Sequence, residues 1–145
     1  MTSRGGAALY TPDILALAVE LADYSLADLT RRGEAHSRVC GSRVIVGTNG
    51  IEADRLGRVG AQVTACAIGQ AAATLFLRSA AGRYRTEIAS ALAAIEAWLA
   101  GGDEMPPWPG VAQLEPARAY PARHAAILLP WKAALAALSN PAGAD

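Results

Sequence analysis

The spacing of apolar residues changes period twice along this chain. In residues 11–24, "TPDILALAVELADY", apolar side chains recur every three or four positions, which predicts an amphipathic helix. Thr11 suits its N-cap, Pro12 its first position, and Asp13 its positive end. Residues 25–37, "SLADLTRRGEAHS", are polar and read as a loop holding at most a short turn. The period then falls to two. Arg43 to Thr48 reads as a strand and Asn49–Gly50 as a hairpin signal. In "RVGAQVT", Val59, Ala61 and Val63 face one way and Arg58, Gln62 and Thr64 the other, which predicts an antiparallel partner with one buried face. Gly57 marks a second turn or a bulge.

Helical spacing returns at Cys66. "CAIGQAAATLFLRSAAGR" predicts a helix ending near Gly82, apolar over most of its surface, hence central and packed across the sheet. "YRTEIASALAAIEAWLAGG" predicts a second helix with Ile88, Leu92, Ile95 and Leu99 on one stripe and Gly101–Gly102 as its stop. Residues 103–116 carry four of the eight prolines and read as an irregular connection. A last helix starts at Pro121, and Pro130 is expected to kink it or begin a new turn. Residues 1–10 read as a flexible arm, 11–138 as one domain with the insert 103–116, and 139–145 as a frayed tail. These elements predict an α+β fold, a small antiparallel sheet of about three strands with helices mainly on one face. Trp98, Trp108 and Trp131 read as packing residues, Trp108 partly exposed, and Arg31, Arg32 and Glu34 as a solvated loop.

Composition narrows the function classes. The 145 residues suit one domain, and 52% hydrophobic content supports a sizeable core. Thirteen Lys and Arg balance thirteen Asp and Glu, which argues against a nucleic-acid or anionic-membrane footprint. No run approaches the roughly 20 apolar residues of a membrane span. The N-terminus lacks the apolar core of a signal peptide, so a cytoplasmic protein with reduced thiols is expected.

The candidate chemistry lies in two cysteines. Cys40 ends the loop before the first predicted strand, and Cys66 joins the next strand to the central helix. If the strands pair, both stand at one end of the sheet, with their sulfurs expected within about 8 Å, close enough for shared ligation. A helix N-terminus favours a thiolate at Cys66. Two ordinary small core residues would fit the same spacing. A thiol enzyme would need His36 or His124 as a base within hydrogen-bond reach of the sulfur, and no local signature supports one.

Three segments carry a family resemblance. "CGS" (Cys40, Gly41, Ser42) before a hairpin resembles the Cys-Gly-Asp motif of NifU/IscU-type iron–sulfur cluster scaffolds. "ACAIGQAAATL" resembles that family's Gly-Cys-x-Ile-Ser segment, with Cys66 on the motif cysteine. "RHAAILLPWKAAL" resembles the last motif of the SufU branch, with Arg123, Trp131 and Lys132 in register. The Pro-rich insert and the opening "LYTPDILALA" fit as well, so the likeness runs from about Tyr10 to Leu138. It implies a SufE/NifU (IscU)-like fold and a non-enzymatic scaffold that binds iron, zinc or a nascent [2Fe–2S] cluster. It further implies a cysteine desulfurase and cluster-accepting apoproteins as partners of a monomer or homodimer. The sequence also departs from the family. The motif aspartate is Ser42, the third motif cysteine falls on Ala126, and the histidine of the IscU branch falls on Ala125. Cys40 and Cys66 are the thiolates that remain, with His124 as a third-ligand candidate and Gly41 and Arg123 in support. Such sites want about four ligands. The alternative implied by these losses is a degenerate member that acts as a binding or regulatory module without a stable cluster.

Overall fold

A computed structural model describes residues 9–39 and 41–140; Cys40, residues 1–8 and residues 141–145 lie outside them. In chain order the elements are α1 (Pro12–Glu20), β1 (Arg31–His36), β2 (Arg43–Thr48), β3 (Val59–Thr64), α2 (Ala67–Ala80), α3 (Arg85–Leu99) and α4 (His124–Ser139). The strands form one antiparallel sheet in the order β1-β2-β3, so the α+β class expected from the sequence holds. Thr11 caps α1 as predicted, its hydroxyl accepting from the Ile14 N–H at 3.2 Å. Packing begins before Thr11, because Leu9 is buried in the core rather than part of an arm.

Residues 31–36 form a strand and not the loop that their polarity suggested. Arg31, Gly33 and Ala35 face inward, and none of the three supplies the large apolar side chain by which a strand is recognised. Arg31 is 3% exposed, far from a solvated position. Its guanidinium donates to the carbonyls of Glu52 (2.8 Å), Ala53 (2.7 Å), Leu138 (3.0 Å) and Asn140 (2.8 Å). Two of these carbonyls stand at the end of α4, where the helix dipole favours a cation. Gly33 lets α4 approach: a side-chain carbon there would sit 2.0 Å from the Ala137 nitrogen and 2.4 Å from the Ala133 oxygen.

That contact decides which helix covers the sheet. α4 lies across β1 and β2, whereas α2, expected in that place, packs against α1, α4 and β3. α4 runs unbroken through Pro130 from His124 to Ser139. Asn49–Gly50 does not close a two-residue hairpin either. β2 and β3 are joined by residues 49–58, which carry Leu56 into the core. The Thr48 hydroxyl accepts from the Gly57 N–H (2.8 Å) and Asn49 Oδ1 from the Arg58 N–H (2.7 Å), holding the two ends of this loop together.

The insert is also more regular and more buried than its prolines implied. A 3₁₀ helix spans Val111–Ala119 with Pro116 inside it. Trp108 is 3% exposed, not partly exposed. It stacks on Phe76 with ring centroids 5.3 Å apart, meets Trp131 edge-on at 5.5 Å, and donates its Nε1–H to the Leu75 carbonyl at 3.0 Å. These three rings join α2, the insert and α4 in one core.

Candidate functional site

Strand register brings the motif segments together. Arg43 of β2 pairs with Thr64 of β3, so Ser42 and Ala65 stand next to each other as the two strands leave the sheet. Cys66 follows at once as the N-cap of α2, with extended backbone angles. Ser42 is tied into the turn before β2, where its carbonyl accepts from the Ser37 N–H at 2.9 Å and the Ser37 carbonyl accepts from the Gly41 N–H at 2.9 Å. Gly41 turns there at φ +69°, a left-handed conformation that glycine adopts without strain.

The start of α4 closes the third side. Gly69 on α2 allows this, since a side-chain carbon at Gly69 would lie 3.4 Å from the Ala126 Cβ. The outcome is a cavity of 270 Å³ lined by Gly41, Ser42, Thr64, Ala65, Cys66, Arg123 and Ala126. Five of these lie on the positions singled out from the motifs. Thr64 and Ala65 were not anticipated as lining residues. Their signal was their place in the chain, between the paired end of a strand and the cysteine that caps the next helix.

Cys66 is a half-buried free thiol. Ser42 and Ala126 are both buried. Cys40, the other candidate thiolate, lies outside the described residues, and the expected separation of the two sulfurs lies there with it. Among the described residues, no three His, Cys, Asp or Glu side chains gather into a group able to hold a metal ion.

The two histidines face other neighbours. His124 Nε2 lies 3.0 Å from the Ala117 carbonyl, and the residue lines a separate cavity with Leu99, Gly101 and Glu115. His36 projects from β1, with its Nε2 2.6 Å from Glu34 Oε2, an oxygen that also accepts from Arg43 Nε at 2.5 Å. The Arg43 guanidinium holds the Glu34 carboxyl below the usual carboxylate range. Neither histidine lines the Cys66 cavity, and nor does Ala125. The lining therefore carries one thiol, two hydroxyls and one guanidinium, with no carboxylate and no imidazole.

No family model matches the chain, and no curated protein matches it in sequence. Solved structures do match. A nitrogen-fixing NifU-like protein (N-terminal part) from Brucella abortus superposes with a TM-score of 0.78 at 28% identity, covering 91% of this chain and 93% of its own. A protein described as a candidate iron–sulfur cluster assembly scaffold for the SUF system, from Fervidobacterium islandicum, gives a TM-score of 0.75 at 21% identity, covering 89% and 96%. The fold is thus that of NifU-like and SufU-type proteins over about nine-tenths of the chain, as the motif order implied. Among the described residues, no helix is long and apolar enough to cross a membrane.

Proposed function

We propose that this chain is a scaffold-like protein of iron–sulfur cluster assembly and not an enzyme. One observation carries the reading. Segments around residues 41–42, 64–66 and 123–126 meet in a single cavity, and these are the segments in which the chain resembles the scaffolds. A cavity that unites a thiol with motif positions from three parts of the chain suits cargo binding. The histidines lie elsewhere, so no base stands ready for nucleophilic turnover at Cys66.

In this reading iron, zinc or a nascent [2Fe–2S] cluster is cargo, held by Cys66 and by Cys40, which directly precedes Gly41 in the chain. A cysteine desulfurase supplies the sulfur, apoproteins receive the cluster, and the setting is the cytoplasm. The donor set is short. Ala126 offers no ligand atom, Ser42 only a hydroxyl, and His124 is turned to Ala117. Two thiolates leave a shell of about four unfilled, so a stable cluster needs donors from a second copy or another protein. The same observation favours a second reading, a module of the same pathway that holds no stable cluster.

Anaerobic reconstitution with iron, cysteine and a cysteine desulfurase, followed by visible absorption and metal analysis, decides between them. The first reading expects a chromophore that is lost in both Cys40→Ser and Cys66→Ser. If wild type shows no chromophore and retains no iron or zinc, the second reading stands.

A further inference from the structure

We infer that the Cys66 cavity is built for anionic sulfur rather than for a bare metal cation, with Cys66 accepting the sulfur and Arg123 supplying the counter-charge. The inference rests on the reading that this cavity handles sulfur for cluster assembly, and it names the species the cavity retains.

The arginines carry the argument. Six described arginines are buried or half-buried: Arg31, Arg55, Arg83, Arg85, Arg118 and Arg123. The first five donate to backbone carbonyls, Arg55 to Gly82, Arg83 to Ser79, Arg85 to Leu138 and Arg118 to Trp98, with Arg31 bonded as described above. Arg123 meets no acceptor among the described residues, and it lines the cavity that Cys66 lines. A guanidinium withdrawn from water without a partner is unfavourable, and an anionic guest beside it relieves that cost.

The rest of the lining points the same way. Ser42 and Thr64 bring hydroxyls, and Gly41, Ala65 and Ala126 bring no charge. A divalent cation entering here would meet a fixed positive charge with no carboxylate to offset it. A persulfide is more acidic than a thiol, so it carries its negative charge at neutral pH and suits such a place.

The transfer balances without an added oxidant or reductant. The donor is a persulfide, R–S–SH. The Cys66 thiolate attacks its terminal sulfur, a new S–S bond forms at Cys66 Sγ, and the donor's S–S bond breaks. The bonding pair leaves with the donor as R–S⁻, which takes the proton of the transferred sulfur. Cys66 is left as a persulfide anion, and the donor leaves as a thiol.

The test uses the full chain and glutathione persulfide. Peptide mass mapping reads whether Cys66 gains one sulfur and how fast that sulfur is lost once the donor is removed. We expect Cys66 to be modified in wild type. With Arg123→Gln the bound sulfur is lost about fivefold faster, the scale of one partly exposed ion pair, while Arg123→Lys stays close to wild type. High salt shortens the wild-type lifetime toward that of Arg123→Gln, a measurement that needs no variant to fold. Zinc binding, read with a competing chelator, moves the opposite way and becomes tighter in Arg123→Gln. An unmodified Cys66, a sulfur lifetime insensitive to both residue 123 and salt, or weaker zinc binding in Arg123→Gln would overturn the inference. A failed reconstitution counts against the cluster reading alone, because none of these readouts depends on a cluster.

Discussion

Ala126 stands where a third metal donor would have to stand. It is buried, lines the same cavity as Cys66, and ends in a methyl group. A thiol at this position extends into a cavity that has room for it. Ala126→Cys should therefore raise zinc affinity about tenfold or more, measured by chelator competition on folded protein. A folded variant with unchanged affinity would mean that the Cβ of residue 126 is aimed away from the place the metal takes. Much of this site was legible in the sequence, because Ser42, Cys66, Arg123 and Ala126 were placed together by the order of short motifs. The direction of His124 was not. One residue on a helix is a rotation of about 100°, and a neighbouring carbonyl, that of Ala117, decides which way the ring lies. The unpartnered state of Arg123 was equally hidden, since it depends on where every nearby acceptor ends up.

β1 and α4 illustrate what pattern reading recovers at the level of elements and what it misses. β2, β3 and the three long helices had strong periodicity, and each formed within a residue or two of its expected bounds. β1 had no hydrophobic alternation to read. Its inward positions are an arginine satisfied by carbonyls from distant segments, a glycine under a helix, and an alanine. Each of those choices makes sense only once α4 lies across the strand. Gly33 is the position that permits this contact, so Gly33→Ala should be among the most damaging small substitutions in the protein. The added methyl would meet backbone atoms of α4, which cannot rotate aside as a side chain can. We expect a loss of about 3 kcal/mol or more by urea unfolding, at the upper end for overpacking. A loss below about 1 kcal/mol would show that α4 can lift from β1 without disturbing the core.

Charge acts on the molecule as a whole through pairs that join its parts. The Glu20 carboxylate at the end of α1 accepts from Arg78 on α2, with Arg78 Nε to Glu20 Oε2 at 2.8 Å, and from the Tyr24 hydroxyl at 3.3 Å. Arg78 holds the Glu20 carboxyl below the usual carboxylate range. Arg58 does the same to Asp28, and Arg43 to Glu34 at the base of the turn that carries Gly41 and Ser42. In all three the folded state favours the charged carboxylate. Each therefore adds stability above the unfolded carboxylate pKa, and that stability is lost as pH falls through the lowered folded value. Protonation also unbalances a chain with thirteen acidic and thirteen basic residues, leaving a cation that repels itself. The thermal midpoint should thus stay nearly level from neutral pH to about 5 and drop below about 4.5. Glu20 is partly exposed, so its pair is worth at most about 1 kcal/mol after screening. Glu20→Gln should lower the midpoint at pH 7 by about 2–4 °C. Its curve should also close on that of wild type as acid removes the charge that the variant already lacks. A midpoint that rises as pH falls, or a Glu20→Gln curve parallel to wild type throughout, would mean that the pair between α1 and α2 contributes nothing to holding them together.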